Sequence, residues 1–454
     1  MKIMLKIFAL FAALYLFAAC DGFASAADGL SFQKARSMLM ERSDRLEAAA
    51  ANTESRKETV NSQKTLLGPT VTAQIGQLWG ETHIDIDRSV KTPLGAMPIR
   101  IDEHKDFNGP RAAATATWPL FTGGKLLAEQ RAGKYALDEA RAKERAVAVE
   151  LDTRLAGLYF GLSLALAIEK VRADMLEQQK REVARAKKFE VQGMISKVDR
   201  LGVEVARDRG EREWLKARNA ARIARIELSR LLRFDNIRDL STPLFVLSGD
   251  LGSLNSWVEQ ALANNPQIAM FEAKSNQAEQ GTKSAMGNWF PDIFGIGQYS
   301  FIRHYQTMVE PTWFAGIGLN LTIWDARGRL GAYRSARATL REAKAAKAEA
   351  TNQVRADAEV AWQNTRDAME RYQLTAGNVA LAKENLELKT RGFEEGLCAA
   401  IEMTEARTRL AEARVDRKVA AYEFVINYVI LHAIAGKMDD FMNTLERKNL
   451  ILEQ

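Results

Sequence analysis

Two periodicities alternate along this chain. Over 125–188 and 329–391, apolar residues recur at helical spacing among Arg, Glu and Lys, as at Ala136, Ala140, Val147, Leu151, Leu155 and Leu158. Each run predicts one very long helix, and the stretch from Lys125 to Lys188 would extend ~96 Å at 1.5 Å per residue. A turn over Glu190–Ile195, with Ser196 and Asp199 in capping-box spacing, predicts a return helix to about Leu232. The second run turns over Gly392–Gly396 and returns from Ala400 to about Ala435. Ahead of each helical run the period drops to two. Thr70–Gly76 alternates, Ala112, Ala114, Ala116 and Trp118 share a face, and Ile293–Phe301 alternates less cleanly. In the last such run Trp313, Ala315, Ile317, Leu319, Leu321 and Ile323 are apolar, while Gly316, Gly318, Asn320 and Thr322 fill the alternate positions. A helix from Ser43 or Asp44 to about Leu67, stopped by Gly68-Pro69, precedes the first strands.

The order helix, strand pair, long helical hairpin occurs twice. Ser43-Asp44 matches Asn265-Pro266 and Pro69 matches Pro291, both at an offset of 222; Phe121 matches Trp324 and Gly193 matches Gly396, both at 203. The 19-residue difference lies between Pro69 and Phe121, where Asp85, Asp87, Asp102, Glu103 and Asp106 predict an enlarged polar surface loop. The expected organisation is a signal peptide over 1–26, a first repeat over 27–242, a connector and start of the second repeat over 243–264, the second repeat over 265–436 and a tail over 437–454. The fold class is mainly α with a small β part.

Composition sharpens this. Nine prolines in 454 residues leave 120–242 and 312–454 free of proline, so helices of this length meet no backbone obstacle. Lys2 and Lys6 flank an apolar run ending at Ala19, and Ala24-Ser25-Ala26 supplies a cleavage pattern, so export is expected; Leu16 to Cys20 offers lipidation at Cys20 as a competing route. Beyond the signal no run of 18 apolar residues occurs, so a membrane crossing would be made of strands. Five of eight tryptophans, Trp79, Trp118, Trp289, Trp313 and Trp324, stand at strand ends with Phe290, Tyr299 and Tyr305, as an aromatic girdle requires. Four strands cannot close a barrel with a lumen, so the chain must oligomerise, and three copies supply twelve. A soluble β-sheet in an exported coiled-coil scaffold or adaptor is the alternative.

A net charge of +6 is spread among alternating signs with no basic block, which gives no nucleic-acid footprint. Gly123-Gly124-Lys125 precedes Leu126 rather than Ser or Thr and reads as a turn, so no enzyme motif and no cofactor are expected. Four histidines and two cysteines show no ligand spacing; His83, His104 and His304 fall where outer loops are expected, and no resident metal is expected.

The duplicated plan resembles a family. Leu67-Gly68-Pro69, Trp118-Pro119-Leu120-Phe121-Thr122-Gly123-Gly124, Ala263-Asn264-Asn265-Pro266 and the paired turns at Gly193 and Gly396 are similar to the TolC-type outer-membrane efflux proteins. The resemblance implies a homotrimer with a 12-stranded barrel in outer-membrane lipid, continued through the periplasm by a barrel of helices. It implies a passive duct for a tripartite efflux or type I secretion system, with a periplasmic adaptor and an inner-membrane pump as partners. Gly193 and Gly396 would mark the docking turns. Six and nine residues after Gly396, Glu402 and Glu405 fall where such proteins ring the periplasmic gate with carboxylates, whose mutual repulsion would raise their pKa values. Where well-known members carry a Tyr and an Arg that latch the gate, this chain has Phe393 and Cys398, so a latch to Asp199 is expected to be missing.

Overall fold

The computed structural model describes residues 29–93, 95–302, 311–445 and 450–453. The expected signal segment, Cys20, His304 and Tyr305 lie outside the described residues.

Helices α1 (Phe32–Arg42) and α2 (Asp44–Lys64) lead into β1 (Thr70–Thr92) and β2 (Gly95–Thr122), then α3 (Lys125–Val191) and α4 (Lys197–Leu232). After β3 (Leu244–Leu247) the series repeats: α5 (Leu254–Asn264), α6 (Pro266–Gly287), β4 (Asp292–Ile302), β5 (Trp313–Asn320), α7 (Gly328–Glu394) and α8 (Ala400–Ile434). Two short elements, α9 (Met438–Thr444) and β6 (Leu450–Glu453), follow. The segment expected as connector and start of the second repeat thus holds β3 and α5, and the expected tail holds α9 and β6.

The duplication is visible element by element. Caps Ser31 and Ser253 open α1 and α5, both 11 residues long and 222 apart; α3 and α7 are both 67 residues long and 203 apart. It extends to torsion angles. Gly193 and Gly396 have φ of 70° and 75°, and Arg233 and Gly436 have 49° and 66°. Gly123 and Gly124, at 60° and 82°, are matched by Ala326 and Arg327, at 48° and 80°. In the second copy, non-glycine residues thus hold a left-handed turn that glycines hold in the first, a conformation costing about 1–2 kcal/mol per residue when a Cβ is present.

The chain divides into two compact units. One comprises residues up to 47, 145–265 and 352–454. Its core is aromatic: Phe32, Tyr159, Phe160, Phe245, Phe424 and Phe441 are all fully buried, and Phe32 stacks on Phe160 with centroids 5.3 Å apart. Tyr159 gives its hydroxyl hydrogen to the Leu30 carbonyl at 2.6 Å and accepts from the Thr242 amide at 3.1 Å, so its polar end is satisfied where burial would otherwise be costly. By length and composition α3 passes as a membrane span, but Leu155, Tyr159, Phe160 and Leu162 of it are enclosed in this core. Strands β3 and β6 pair antiparallel, and Glu453 of β6 accepts from Arg417 at 2.6 Å and from Lys418 at 3.2 Å, with Tyr372 also bonded to it. The C-terminal strand is pinned by those charges.

The other unit comprises 48–144 and 266–351, and holds an antiparallel sheet in the order β1-β2-β4-β5. The enlarged loop expected between Pro69 and Phe121 is instead a continuous hairpin in which every residue from Thr70 to Thr92 pairs with one from Gly95 to Thr117. Acidic residues and prolines suggested a loop, but among the described residues the part of strand β2 before Ala112 has β1 alone as neighbour. Pro98 and Pro110, which have no N–H to give, can face that unpaired side. His83 and His104 accordingly lie in strands.

Candidate functional site

Two features carry the expected functional residues: the tips of the helical hairpins and the two faces of the sheet.

At the first tip, the Gly193 amide donates to the Glu190 carbonyl at 2.9 Å and Met194 to Phe189 at 2.9 Å. At the second, Gly396 donates to Phe393 at 3.1 Å and Leu397 to Gly392 at 2.7 Å. Nothing lies within 4 Å of a Cβ built on either glycine, so their left-handed φ rather than crowding demands glycine. The return helices begin alike. Asp199 and Glu402 occupy the same third position, 203 residues apart. The Asp199 carboxylate accepts from the Ser196 amide at 3.1 Å and its hydroxyl at 2.7 Å, while the Asp199 amide donates back to Ser196 Oγ at 3.1 Å. At α8 the cap residue is Ala399, which has no hydroxyl. Glu402 accepts from the Ala399 amide at 3.4 Å and from Lys389 Nζ at 2.5 Å.

Lys389 is the residue sequence reasoning missed. It stands one helical turn before Phe393 on α7, and that spacing was the available signal. Its hydrogen bond holds the Glu402 carboxyl below the usual carboxylate range, and Glu402 raises the Lys389 ammonium in return. The expectation that repulsion would raise the pKa of Glu402 is thus reversed within one chain, where the nearest charge is a cation. Cys398 Sγ lies 4.0 Å from the same ammonium. Phe393 has its ring 6.2 Å from that of Phe189 and packs beside Val183, Val203 and Ala400. At the first tip Arg200 bridges Glu190 at 2.6 Å and Glu204 at 2.8 Å, which lowers the pKa of Glu204.

Glu405 is exposed and lines a groove of about 980 Å³ with Val198, Leu201, Val205, Arg209 and Arg409. Deeper, buried Glu182 pairs with Arg407, and Thr404 Oγ1 lies 3.3 Å from Glu182 Oε2, a polar contact absent from the sequence expectations.

The sheet has two unlike faces. Register places Val71, Ala73 and Ile75 of β1, Ala114, Ala116 and Trp118 of β2, Gly295, Gly297 and Tyr299 of β4, and Trp313, Ala315 and Ile317 of β5 on one side. Thr72 and Gln74, Thr115 and Thr117, Gln298, and Gly316 and Gly318 lie on the other, together with Phe294, Ile296 and Phe314. Val71, Ile75, Ile317 and Leu319 are exposed. Tryptophans bound the apolar face. Trp118 donates its indole N–H to the Leu67 carbonyl at 2.9 Å, Trp289 meets Tyr333 edge-on at 5.5 Å, and Trp324 follows β5, all at one end. Trp313, paired with Tyr299, and Trp79 lie toward the other. From the level of Trp118 to Trp79 is ten residues along β1, about 33 Å along a strand, or about 25 Å when tilted near 40°. Past Trp79 the apolar face becomes Glu81, His83, Asp85 and Asp87.

Comparison with known proteins agrees with this geometry. The family description "Outer membrane efflux protein" matches residues 35–232 and 257–437. No curated protein matches the sequence. Among solved structures, the chain is similar to the outer membrane protein VceC from Vibrio cholerae (16% identity, TM-score 0.73, covering 90% of this chain and 96% of that one). It is also similar to the MtrE outer membrane channel of Neisseria gonorrhoeae in its open state (17%, 0.72, 90% and 89%) and to CusC (14%, 0.74, 89% and 92%). The family is one of ducts rather than enzymes, and outer-membrane placement displaces the periplasmic scaffold reading. The chain belongs to the outer membrane efflux protein family, and its fold is that family's: duplicated long-helix hairpins for a trimeric α-barrel, with four strands per chain toward a 12-stranded transmembrane β-barrel.

Proposed function

We propose that three copies of this chain close one pore and serve as the passive exit duct of a tripartite efflux or type I secretion system, receiving substrate from a periplasmic adaptor and an inner-membrane pump. The observation that carries this is the four-stranded sheet with an apolar face bounded by tryptophans and with β1 and β5 unpaired on their outer edges among the described residues. In hydrocarbon every unpaired backbone N–H or C=O costs several kcal/mol, so such edges are satisfied by pairing β1 of one copy with β5 of the next. Exposed apolar residues on the helices support the same assembly: Leu374, Leu381 and Leu388 of α7 recur every seven residues, and Val198, Leu201 and Val205 line α4.

In this reading the helix tips form the periplasmic entrance. Glu402 and Glu405 place carboxylates there, Asp199 and Phe393 shape the two tips, and Gly193 and Gly396 mark the turns that meet the adaptor. With Phe393 and Cys398 in place of a Tyr–Arg latch, the Lys389–Glu402 pair is the charged contact left to stiffen the second tip. The test is electrophoretic mobility in mild detergent together with planar-bilayer conductance. Heat-sensitive trimers whose conductance rises when Glu402 and Glu405 are both changed to Ala agree with the proposal. A monomer in gentle detergent, or a closed state untouched by that double substitution, overturns it.

A further inference from the structure

The β1–β2 ribbon continues beyond the part of β2 that pairs with β4, and past Trp79 one of its faces carries almost only imidazoles and carboxylates. Glu81, His83, Asp85 and Asp87 on β1 face Asp106, His104, Asp102 and Arg100 on β2, as direct cross-strand partners. His83 and His104 stand opposite each other with their Nδ1 atoms 3.2 Å apart and their rings crossed at 64°. Asp102 Oδ1 lies 3.7 Å from His83 Nδ1, and Glu81 is bonded to His104 Nε2.

We propose that His83 and His104, completed by Asp102, form a binding site for a borderline transition-metal dication such as Zn²⁺ or Cu²⁺ on the outer ribbon. Three geometric facts converge. First, two imidazole nitrogens on one tetrahedral Zn²⁺ at 2.0–2.1 Å are separated by about 3.3–3.4 Å, close to the spacing already present. Second, Glu81 engages the far nitrogen of His104, the outer carboxylate contact that fixes tautomer and ring orientation in metal-bound histidines, which leaves Nδ1 to direct its lone pair toward His83. Third, both imidazoles are exposed, so an ion reaches them from water. No three such side chains already converge at coordination distance among the described residues, so Asp102 must close on the ion from its present place. Binding replaces the proton shared between the two Nδ1 atoms: neutral His83 moves its hydrogen to exposed Nε2, and both lone pairs go to the metal. The donor set of imidazole and carboxylate suits Zn²⁺ or Cu²⁺ over the harder Ca²⁺ and Mg²⁺. Such an ion would cross-link β1 to β2 at one rung.

The test uses the full, tag-free chain in detergent in a Cys398→Ser background, which removes the only thiol among the described residues. Zn²⁺ is titrated calorimetrically and Cu²⁺ is followed by electron paramagnetic resonance. The expected result is one Zn²⁺ per chain, nitrogen hyperfine structure from two imidazoles, and at least a tenfold loss of affinity in both His83→Ala and His104→Ala. Glu81→Gln should weaken binding about 10–100-fold while leaving the two-nitrogen signature. Affinity within tenfold of the parent in either histidine variant, or a copper spectrum with fewer than two nitrogens, overturns the site. Trimer mobility and conductance, measured on the same variants, stay as in the parent, so failure here is distinguishable from failure of the duct.

Discussion

Two arginine–carboxylate pairs tie the N-terminal helices to α3, and they offer a controlled measurement of what burial does to an ion pair. Arg36 of α1 grips Asp152 through Nε and Nη2 at 2.8 and 2.9 Å. Arg45 of α2 grips Glu150 through both terminal nitrogens at 2.8 and 2.7 Å. Both contacts are bidentate, one side-on and one end-on, and the carboxylates are two residues apart. The surroundings differ: Asp152 is only 2% exposed, whereas the Arg45 and Glu150 side chains are 50% and 58% exposed. Removing Arg36 leaves an uncompensated carboxylate in the core, a situation that costs about 3–5 kcal/mol. Asp439, which also accepts from Arg36, is itself exposed and finds water instead. Removing Arg45 leaves Glu150 in water, and the expected loss is small or unmeasurable. The assay is thermal unfolding in mild detergent by far-ultraviolet circular dichroism, comparing Arg36→Ala, Arg45→Ala and the compensated pair Arg36→Met with Asp152→Leu. Arg36→Ala should lower the midpoint far more than Arg45→Ala, and the apolar double substitution should recover most of the loss. Equal shifts for the two alanine variants, or a double variant no better than Arg36→Ala, would refute the reasoning.

Further outcomes follow from the turns and the tips. Gly396→Ala and Gly193→Ala should each destabilise their hairpin end by about 1–2 kcal/mol, seen as faster proteolysis at the turn, because φ near +70° penalises any Cβ. Conversely, Arg327→Gly should leave stability unchanged or raise it by up to about 1 kcal/mol in the same thermal assay, since the position already has the torsion of Gly124. The pKa of Glu402 is depressed by Lys389, so their contact contributes fully above the unfolded-state value near 4.3 and is lost as pH falls through the lower folded value. Exchange protection at 389–403 should therefore fall as pH drops through that window, and Lys389→Met should reduce the pH dependence to the part carried by the Ala399 amide. Truncation before Leu450 removes Glu453 from Arg417, Lys418 and Tyr372 and should loosen β3, read as lost exchange protection at 244–247.

The long helices, their turns and the duplication were legible because each rests on local signals: helical spacing, freedom from proline, a cap at Ser196 and glycine at 193 and 396. The tall ribbon was not legible. Its pairing is a contact between residues up to 47 apart, and polar residues over prolines look the same in a loop as on the solvent face of a strand. Helix α1, capped by Ser31, was not among the expected elements, and its counterpart capped by Ser253 fell in the segment expected as connector and start of the second repeat. The four expected tip residues fall on two tips, but what each touches depended on partners elsewhere: Lys389 reaches Glu402 across a turn, and Asp199 is occupied by Ser196. Spacing names such residues without revealing which charge is already neutralised.

Only the first hairpin of the duplicated pair is drawn out, with 23 and 28 residues in its strands against 11 and 8 in the second. A ring of three such chains would therefore carry three long hairpins, with the strands described in the second copy much shorter.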